Sequence, residues 1–598
     1  MTTESAPRSS PRDPWGPFTA AVIEGLVSAG RSAGVPLEPE PLRHQVNFES
    51  GPEGDAALAV HRYAAAAKRP PSEVAVAIAA QFATSPWIEG VEAKGAYVNL
   101  RASSAQLTRV TLDRVFADGA SYGRAEPSGP PACVEHTSAN PTGPFHIGRV
   151  RNAIIGDTFA RSLAASGVPV RRQYYVDDMG RQAAMITWIW SKPREEWPAP
   201  IRDAVEGHEV PGEKPDSHHG RPYPAISAYL KEHGDAQEEV AAIVRSVEEG
   251  HAPPNHRALT QSILEGMLSS LARLGVGFDE FVWESDFLAD GSVTRVLERL
   301  RTAPHAVEEE NGARAIDTSS YGLPKESTHV VVQRADGTSL YVTRDIAYHL
   351  QKFERFTRVI DVLGQDHQLH ARSLTALLAE IGEPRRPEFL IYQDITVPEG
   401  GRMSTRGGSA VWLDHLLDEA VERARKEVEA RREDLPEPEL ARIAEAVATG
   451  AIRFHIVRIA PDKPVVFRWE DALSFEGRSG PFVQYAYARA SSVLRKSETS
   501  GPVYPFDPAQ LIDPEERALV RLVASLPRTV DYVARTTHVH TMAGYAHSVA
   551  DQFNRFYHAV PVLKSGEERA SRIALVAAVR QTLGNAMDLL GLPRLETM

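Results

Sequence analysis

The sequence predicts an α/β protein in which a Rossmann-type parallel-sheet domain lies between a small N-terminal α/β domain and a C-terminal all-helical domain. A strand pattern in CVEHTS is followed by a turn, a helix pattern and a second strand in VRRQYYV. This order forms a βαβ unit, and hence a parallel sheet with a right-handed crossover. From about residue 410 onward, apolar residues recur almost wholly at helical spacing, which favours a helical bundle.

The N-terminal part of the chain combines short helices with a strand. Residues 1–13 are rich in Ser and Pro and are expected to be disordered. Apolar residues then recur at helical spacing in three segments, and a fourth segment alternates like a strand: 14–34, DAALAVHRYAAAAKR, PSEVAVAIAAQFA and GAYVNLRA. These patterns predict a small α/β domain over residues 14–124.

Residues 125–470 alternate between strand and helix patterns and are assigned to the Rossmann-type domain. Four further strands are predicted beyond the first βαβ unit, at THVVVQR, SLYVTRD, RVIDVLG and EFLIYQD. The stretch from about 190 to 260 is rich in Pro, His and Glu without a strand signal, so it is interpreted as an insertion. Residues 471–598 are predicted to form the separate helical domain.

Composition restricts the class of protein. Lys and Arg total 66 and Asp and Glu total 79, so the formal charge of −13 argues against coating nucleic acid by bulk charge and leaves room for a local basic surface. The single cysteine, Cys133, excludes an intrachain disulfide and a multi-cysteine zinc site. No signal peptide and no run of 18 apolar residues is found. These features predict a cytoplasmic enzyme or binding protein without a structural metal.

The stretch EHTSANPTGPFHIGRVRNAIIGD, residues 135–157, joins the first predicted strand to the first predicted helix of the sheet. Ligands bind open parallel sheets at the carboxyl ends of the strands, and a helix N-terminus there favours phosphate. His146 can donate to a phosphate oxygen, and Gly148 lets a flat group approach the backbone. Taken alone, the tripeptide HIG is a weak signal that a chance loop histidine would also explain.

Two acids and a phenol are predicted near the same edge of the sheet. Glu135 ends the first strand, and Asp345 lies four residues after Tyr341 at a predicted strand-to-helix junction. A guanidinium prefers bidentate carboxylate partners, so this set suits a planar cation. The alternatives are a solvated strand end for Glu135 and a helix N-cap for Asp345.

A Gly-x-Asp-His turn from Gly364 to His367 follows the predicted strand RVIDVLG. A carboxylate in this position, here Asp366, can accept hydrogen bonds from ribose hydroxyls. Asp361, inside the strand, is interpreted as structural.

The stretch 135–157 resembles the "HIGH" region of the arginyl-tRNA synthetases, a class I family, and in particular their archaeal-like branch. The resemblance continues in order and spacing over nearly the whole chain, through QYYVDDMGRQ, LGVGFDEFVWESDF, YVTRDIAYHLQKFERF, VLGQDHQLHARS, RMSTRGG, RSGPFVQYAYARASSVLRK and the terminal LGLPRLETM. The segments GDAALAVHRYAAAAKRPPSEVAVAIA and GAYVNL resemble the N-terminal tRNA-binding domain of that family.

The resemblance implies an arginine–tRNA ligase that activates L-arginine with ATP and Mg²⁺, releases pyrophosphate and passes arginine to the 3′ end of tRNA(Arg). A monomer is expected, with the C-terminal bundle at the anticodon region. The matching motifs imply roles for individual residues: Asn140 at the arginine backbone, Glu135, Tyr341 and Asp345 at the guanidinium, His146 and Gly148 at ATP, Gly364, Asp366 and His367 near the ribose and the ammonium group, and Met403, Ser404, Thr405 and Arg406 in the "KMSKS" loop.

Three positions depart from the family pattern. Arg149 replaces the second histidine of HIGH, Gly143 stands where many relatives keep a compensating lysine, and Gly407 stands where some carry the loop lysine. We expect three arginines to supply positive charge near the triphosphate: Arg149, Arg402 and Arg406. Two other classes remain open, an inactive paralogue that binds tRNA or protein as a regulator and an amino-acid activator in a biosynthetic pathway.

Overall fold

A computed structural model describes residues 12–48, 51, 53–208, 212–324, 328–396, 412–498 and 505–598. The chain divides into two compact units. The first comprises Met1–Glu126, Ala165–Gly167 and Ser474–Met598, and the second comprises Pro127–Ala164 and Val168–Leu473.

The N-terminal part of the first unit is a small α/β structure. Its elements are α1 (Gly16–Ser32), α2 (Pro39–Gln45), β1 (Val46–Asn47), β2 (Ala56–Ala59), α3 (His61–Ala67), α4 (Pro71–Ala80), β3 (Ile88–Lys94), β4 (Tyr97–Ala102) and α5 (Ser104–Asp118). The four strands form an antiparallel sheet in the order β1-β2-β4-β3, and α4 packs on β3 and β4.

The predicted helix over DAALAVHRYAAAAKR is wrong in its first half, because Ala56–Ala59 is strand β2. Ala56 and Leu58 are buried while Ala57 and Ala59 are more exposed, and β2 pairs with β4 along its length. Strand pairing and burial of alternate residues therefore override the helix propensity of Ala and Leu. The helix begins at His61.

The second unit contains the predicted parallel sheet. Its elements up to the third strand are β5 (Ala132–Glu135), α6 (Val150–Ala165), β6 (Val170–Val176), α7 (Arg181–Trp190), α8 (Ala199–Asp203), α9 (Pro215–Gly220), α10 (Tyr223–Glu232), α11 (Gly234–Glu248), α12 (His256–Arg273) and β7 (Glu280–Trp283). The stretch from 190 to 260, predicted as an insertion, forms helices between β6 and β7. The interior of β5 is wholly buried, as expected of a strand covered on both faces.

The remaining elements of the second unit are α13 (Asp286–Ala289), α14 (Ser292–Arg301), β8 (Ala306–Glu308), β9 (Arg314–Asp317), β10 (His329–Gln333), α15 (Tyr341–Arg355), β11 (Arg358–Gly364), α16 (Gln368–Glu380), β12 (Glu388–Tyr392), β13 (Ile395–Thr396), α17 (Leu413–Glu429), α18 (Glu437–Val457), β14 (Val465–Val466) and α19 (Trp469–Ala472). The parallel sheet has the order β12-β11-β5-β6-β7. Apolar residues of α14, α15 and α16 form a common core with Cys133 and Val282 of the sheet.

Two of the predicted strands differ from the structure. THVVVQR contains β10, but β10 belongs to a separate antiparallel sheet of order β10-β9-β8. SLYVTRD is not a strand, because Leu340 is the N-cap of α15 and Tyr341 begins the helix. Over so few residues, alternating apolar positions do not distinguish a strand from a first helical turn. The N-cap interpretation of Asp345 is therefore also wrong.

Five helices complete the first unit: α20 (Gly480–Lys496), α21 (Pro514–Ala524), α22 (Leu526–Thr536), α23 (His540–Ala559) and α24 (Arg569–Leu590). They contact the N-terminal part through specific bonds. The Tyr122 hydroxyl donates to the carbonyl oxygen of Val523 at 2.8 Å, and Arg521 pairs with Asp55 at 2.8 Å. Helix α5 also packs on α21 and α24. The N-terminal segment and the C-terminal helices thus share one packed unit.

A buried ion pair joins α6 to α18 in the second unit. Asp157 and Arg453 are both fully buried, and Nη2 of Arg453 lies 2.6 Å from Oδ2 of Asp157. Arg161 donates to the same oxygen at 2.7 Å, and Nη1 of Arg453 donates to the carbonyl oxygen of Leu274. Burial alone would raise the pKa of Asp157, but the charges of Arg453 and Arg161 lower it below its usual range.

We expect Arg453→Leu to lower the free energy of unfolding by about 3 kcal/mol, because it leaves Asp157 buried with a weaker set of partners. Urea unfolding at neutral pH measures this change. Arg442→Leu, at an exposed position on the same helix, serves as the matched control and should change stability little. The double variant Arg453→Leu/Asp157→Asn should recover part of the loss. A loss in the single variant no larger than in the control would contradict a stabilising role for the pair.

Candidate active site

The loop between β5 and α6 crosses the carboxyl edge of the parallel sheet. Thr137 and Ser138 have φ values of 73° and 37°, a left-handed conformation that a β-branched residue such as Thr137 rarely adopts. The amide of Thr137 donates to Oδ1 of Asn152 at 2.6 Å, and Nδ2 of Asn152 donates to the carbonyl oxygen of Val362. Helix α6 and strand β11 therefore hold the loop in a strained conformation, which is common at functional sites.

Glu135 at the end of β5 is engaged on both oxygens. Ser138 Oγ donates to Oε1 at 2.9 Å, and Nζ of Lys352 on α15 donates to Oε2 at 2.5 Å. Burial raises the pKa of Glu135, and the charge of Lys352 opposes that rise. The alternative of a solvated strand end is therefore wrong, since the carboxylate is largely buried and paired.

Lys352 is fully buried and connects two acids. Its Nζ also donates to Oδ1 of Asp361 at 2.7 Å, and Nε2 of His349 lies 2.7 Å from Oδ2 of the same carboxylate. Burial would raise the pKa of Asp361, but Lys352 and His349 lower it. Asp361 is thus part of an internal network, as its structural interpretation predicted. The sequence analysis missed Lys352, although it lies seven residues after Asp345 and so on the same helix face.

Tyr341 and Asp345 lie one turn apart near the start of α15. Oδ2 of Asp345 is 2.5 Å from Nε2 of His370 on α16, and the ring centroids of Tyr341 and His370 are 4.9 Å apart. Tyr341 is 57% exposed, which leaves its phenol open to a ligand. The structure brings these two predicted residues together and adds His370, which sequence reasoning did not select.

A second buried pair lies beside Asp345. Arg344 donates to Glu284, which directly follows β7, and Nη1 of Arg344 also donates to the carbonyl oxygen of Ser339. Burial raises the pKa of Glu284 well above its usual range, against the opposing charge of Arg344. The pair anchors the start of α15 to the end of β7.

Asn140 lies on the exposed side of the loop. Its Nδ2 donates to Oδ2 of Asp177 at 3.0 Å and to Oε1 of Gln182 at 3.3 Å. Asp177 follows β6, and its Oδ1 accepts from the amides of Met179 and Gly180. The residues that follow β6 therefore orient Asn140, and β6 is the neighbour of β5, the strand that ends at Glu135.

His146, Gly148 and Arg149 form the turn that begins α6. The amide of Gly148 donates to Nδ1 of His146 at 3.0 Å, and a Cβ on Gly148 would lie 3.0 Å from that nitrogen. The His146 ring packs edge-on against Trp412, with centroids 5.9 Å apart. Burial lowers the pKa of His146, and the charge of Arg149 lowers it further.

Arg149 is half-buried and acts on groups from two other strands. Burial raises the pKa of Tyr392, at the end of β12, while the charge of Arg149 and a hydrogen bond from it act in the opposite direction. Burial lowers the pKa of His367, the charge of Asp366 opposes this, and Arg149 adds to the lowering. Arg149 therefore lies over the carboxyl edge of the sheet, among the predicted ATP residues.

Gly364 ends β11 beside that arginine. A Cβ at Gly364 would lie 2.4 Å from Oδ1 of Asp366 and 3.5 Å from Oη of Tyr392, so a side chain at this position would displace the Asp366 carboxylate. Nε2 of His367 is 3.5 Å from Oδ2 of Asp366; Asp366 is exposed and His367 is half-buried. The charge of His370 also lowers the pKa of His367, and that of Asp345 raises it. His367 therefore lies between Arg149 and the start of α15.

The last set of predicted site residues belongs to the loop RMSTR. Its residues Arg402, Met403, Ser404, Thr405 and Arg406 lie outside the described residues.

Within the described ranges, no group of three or more His, Cys, Asp or Glu side chains could hold a metal ion. No helix in those ranges is long and apolar enough to cross a membrane.

Comparison with known proteins assigns most of the chain to described families. The family model "Arginyl tRNA synthetase N terminal domain" matches residues 26–102, "tRNA synthetases class I (R), catalytic domain" matches 111–469, and "DALR anticodon binding domain" matches 483–598. Among solved structures, the arginyl-tRNA synthetase of Thermus thermophilus is 28% identical with a TM-score of 0.79, covering 97% of this chain and 100% of that one.

Archaeal relatives extend the similarity along the chain. The arginine–tRNA ligase of Methanocella arvoryzae is 42% identical over 90% of this chain and 92% of its own length. That of Methanothermobacter thermautotrophicus is 40% identical over 96% of this chain and 98% of its own length. The catalytic-domain model spans more than half of the chain, and its boundaries enclose the parallel sheet and the residues around Asp345 and Arg149. The chain therefore belongs to the arginyl-tRNA synthetases, the class I family of enzymes that ligate arginine to tRNA.

Proposed function

We propose that the chain activates L-arginine with ATP at the carboxyl edge of the parallel sheet and transfers the arginine to the 3′ end of tRNA(Arg). The observation that carries this proposal is that Asp345 and Tyr341 share one face of α15, the helix whose Lys352 is bonded to the buried Glu135. Acids and a phenol fit a guanidinium, which offers only donors.

In this proposal, Asp345 supplies the carboxylate that pairs with the guanidinium, and Tyr341 lies beside it. Lys352 shares its positive charge between Glu135 and Asp361, so Glu135 is a hydrogen-bond acceptor of fixed position. Asn140 holds the backbone of the amino acid, and His367 lies between the arginine and nucleotide sides. A ligand that lacks the guanidinium cannot supply the donors that these acceptors would bind, which lowers its affinity relative to arginine.

ATP is proposed to lie over the turn that begins α6. His146 and Gly148 contact it there, and Gly364 and Asp366 face the ribose. Mg²⁺ is expected to arrive with the nucleotide, as it does in most ATP enzymes. The N–H groups at the start of α6 favour a phosphate, and Arg149 adds a fixed positive charge near them. Arg402 and Arg406 would complete the positive side of the site.

The tRNA is proposed to contact both parts of the first unit, and the enzyme to act as a cytoplasmic monomer. In the C-terminal helices, Arg489 lies 4.7 Å over the ring of Tyr485 and 4.9 Å over that of Tyr557. Tyr557 is also exposed, and exposed aromatic and guanidinium surfaces suit splayed RNA bases. The shared packing of α5 with α21 and α24 makes point substitutions better probes of tRNA binding than deletion of the N-terminal part.

Two alternatives are separated by one experiment, the charging of total tRNA with each labelled amino acid. Arginine charging supports the ligase. Binding of tRNA without charging would support an inactive regulator, and arginine activation without transfer to tRNA would support a biosynthetic activator. The presence of Glu135, Asn140, Tyr341 and Asp345 favours an active arginine site, and the two tRNA-associated family domains favour tRNA as the acceptor.

We expect Asp345→Asn to raise the KM for arginine about 10- to 100-fold, because a hydrogen bond to a charged group contributes about 1.5–3 kcal/mol. The fold should persist, since Asp345 is not the cap of α15. Aminoacylation kinetics measure the effect, and circular dichroism checks the fold.

The wild-type enzyme should reject lysine by roughly 10⁴-fold in kcat/KM, since lysine leaves the guanidinium acceptors unpaired. Charging assays with labelled lysine and citrulline, run beside arginine, test this discrimination. Charging of either one within tenfold of arginine would remove Asp345 and Glu135 from the recognition site.

We expect Arg149→Ala to lower arginine-dependent pyrophosphate exchange into ATP by about 10²–10³, because it removes a fixed charge beside the leaving pyrophosphate. The exchange is measured in the presence of tRNA. Arg171→Ala, at an exposed position on β6, is the control and should retain exchange. Absence of exchange in the wild type, with recovery in Arg149→His, would show instead that the arginine inactivates the site.

A further inference from the structure

The hydroxyl of Tyr175 is buried and has no hydrogen-bond partner among the described residues. Tyr175 lies on β6, and its ring stacks on that of Tyr348 with centroids 4.7 Å apart and planes 15° from parallel. Its amide donates to Oγ of Ser138 at 3.0 Å, the same hydroxyl that donates to Glu135. The ring is therefore fixed by strand, stacking and loop, and cannot turn its hydroxyl freely toward a new partner.

The groups around this hydroxyl are those of the arginine side of the site. Burial raises the pKa of Tyr175 well above its usual range, the charges of Glu284, Asp345 and Asp177 raise it further, and Arg344 opposes them. The phenol is therefore neutral at physiological pH. It carries one proton to donate and oxygen lone pairs to accept.

A buried hydroxyl without a partner is unfavourable and uncommon in native proteins. If packing alone were required, a phenylalanine would stack on Tyr348 equally well and avoid that cost. Glu284 and Ser339 already engage the nearby guanidinium of Arg344, and that guanidinium in turn engages the carboxyl group of Glu284. An ionised carboxylate has no proton to donate. No described side chain donates to the Tyr175 hydroxyl, whereas every polar group of a guanidinium is a donor.

We propose that Tyr175 is a specificity-determining residue, whose hydroxyl accepts a hydrogen bond from the guanidinium of bound arginine and directs its own proton to a neighbouring carboxylate. This inference rests on the proposed function, in which the guanidinium lies between Glu135 and Asp345. Tyr175 lies near both acids. Its amide donates to Ser138, which donates to Glu135, and the charge of Asp345 raises the pKa of its side chain.

Tyr175→Phe tests the inference. The KM for arginine should rise about 10- to 100-fold, the range expected for loss of a hydrogen bond to a charged group. The kcat should change less than threefold and the KM for ATP should not change. The melting temperature should stay the same or rise, because an unpaired buried polar group is removed. Tyr122→Phe is the matched control, since its hydroxyl is paired with Val523: it should lower the melting temperature and leave the KM for arginine unchanged.

Inhibition by agmatine, which keeps the guanidinium and lacks the carboxylate, identifies the end of the ligand involved. The inhibition constant for agmatine should rise in Tyr175→Phe by the same factor as the KM for arginine. An unchanged KM, or a raised KM with unchanged agmatine inhibition, would overturn the inference. A marked loss of melting temperature would also overturn it, since it would mean that the hydroxyl is paired. Failure of the proposed function would appear differently, as absence of arginine charging by the wild type.

Discussion

The candidate active site depends on Lys352, which forms salt bridges to two neighbouring strands. The register of the sheet pairs Asp361 of β11 with Glu135 of β5, so two buried carboxylates lie side by side. Such a pair would repel, and the pKa of at least one would rise. Nζ of Lys352 contacts both, and a buried ammonium needs such partners to remain charged. The three charges therefore stabilise one another and fix α15 to the centre of the sheet.

That attachment orients the residues proposed to recognise arginine. Tyr341, Asp345, Tyr348 and Lys352 are spaced four, three and four residues apart, so they share one face of α15. With Lys352 held between β5 and β11, Tyr348 stacks on Tyr175 of β6, and Asp345 lies one turn closer to the carboxyl edge of the sheet. The ion network of Glu135, Lys352 and Asp361 thus fixes the helix that carries Asp345, which preorganises the proposed arginine site.

The proposed nucleotide site is built differently, from a helix N-terminus and a strained loop. Thr137 is held in a left-handed conformation by Asn152, and the chain then enters α6 through His146 and Gly148. Arg149 directs its charge toward Tyr392 and His367 on neighbouring strand ends. A guanidinium is larger than an imidazole and always charged, so its presence here keeps the positive charge of the site independent of pH.

The sequence by itself determined the parallel sheet, the insertion after β6 and the C-terminal helices, because these follow from local periodicity. It also predicted that most candidate site residues lie at one edge of the sheet, because parallel strands end there together. The roles of individual residues came from the resemblance to the family and remain predictions. Only the tertiary structure decided that SLYVTRD begins a helix, that Ala56–Ala59 is a strand, that Lys352 contacts Glu135 and that His370 contacts Asp345. The physical reason is distance along the chain: Lys352 meets Glu135 across 217 residues, and no local pattern encodes which buried charge will find which partner.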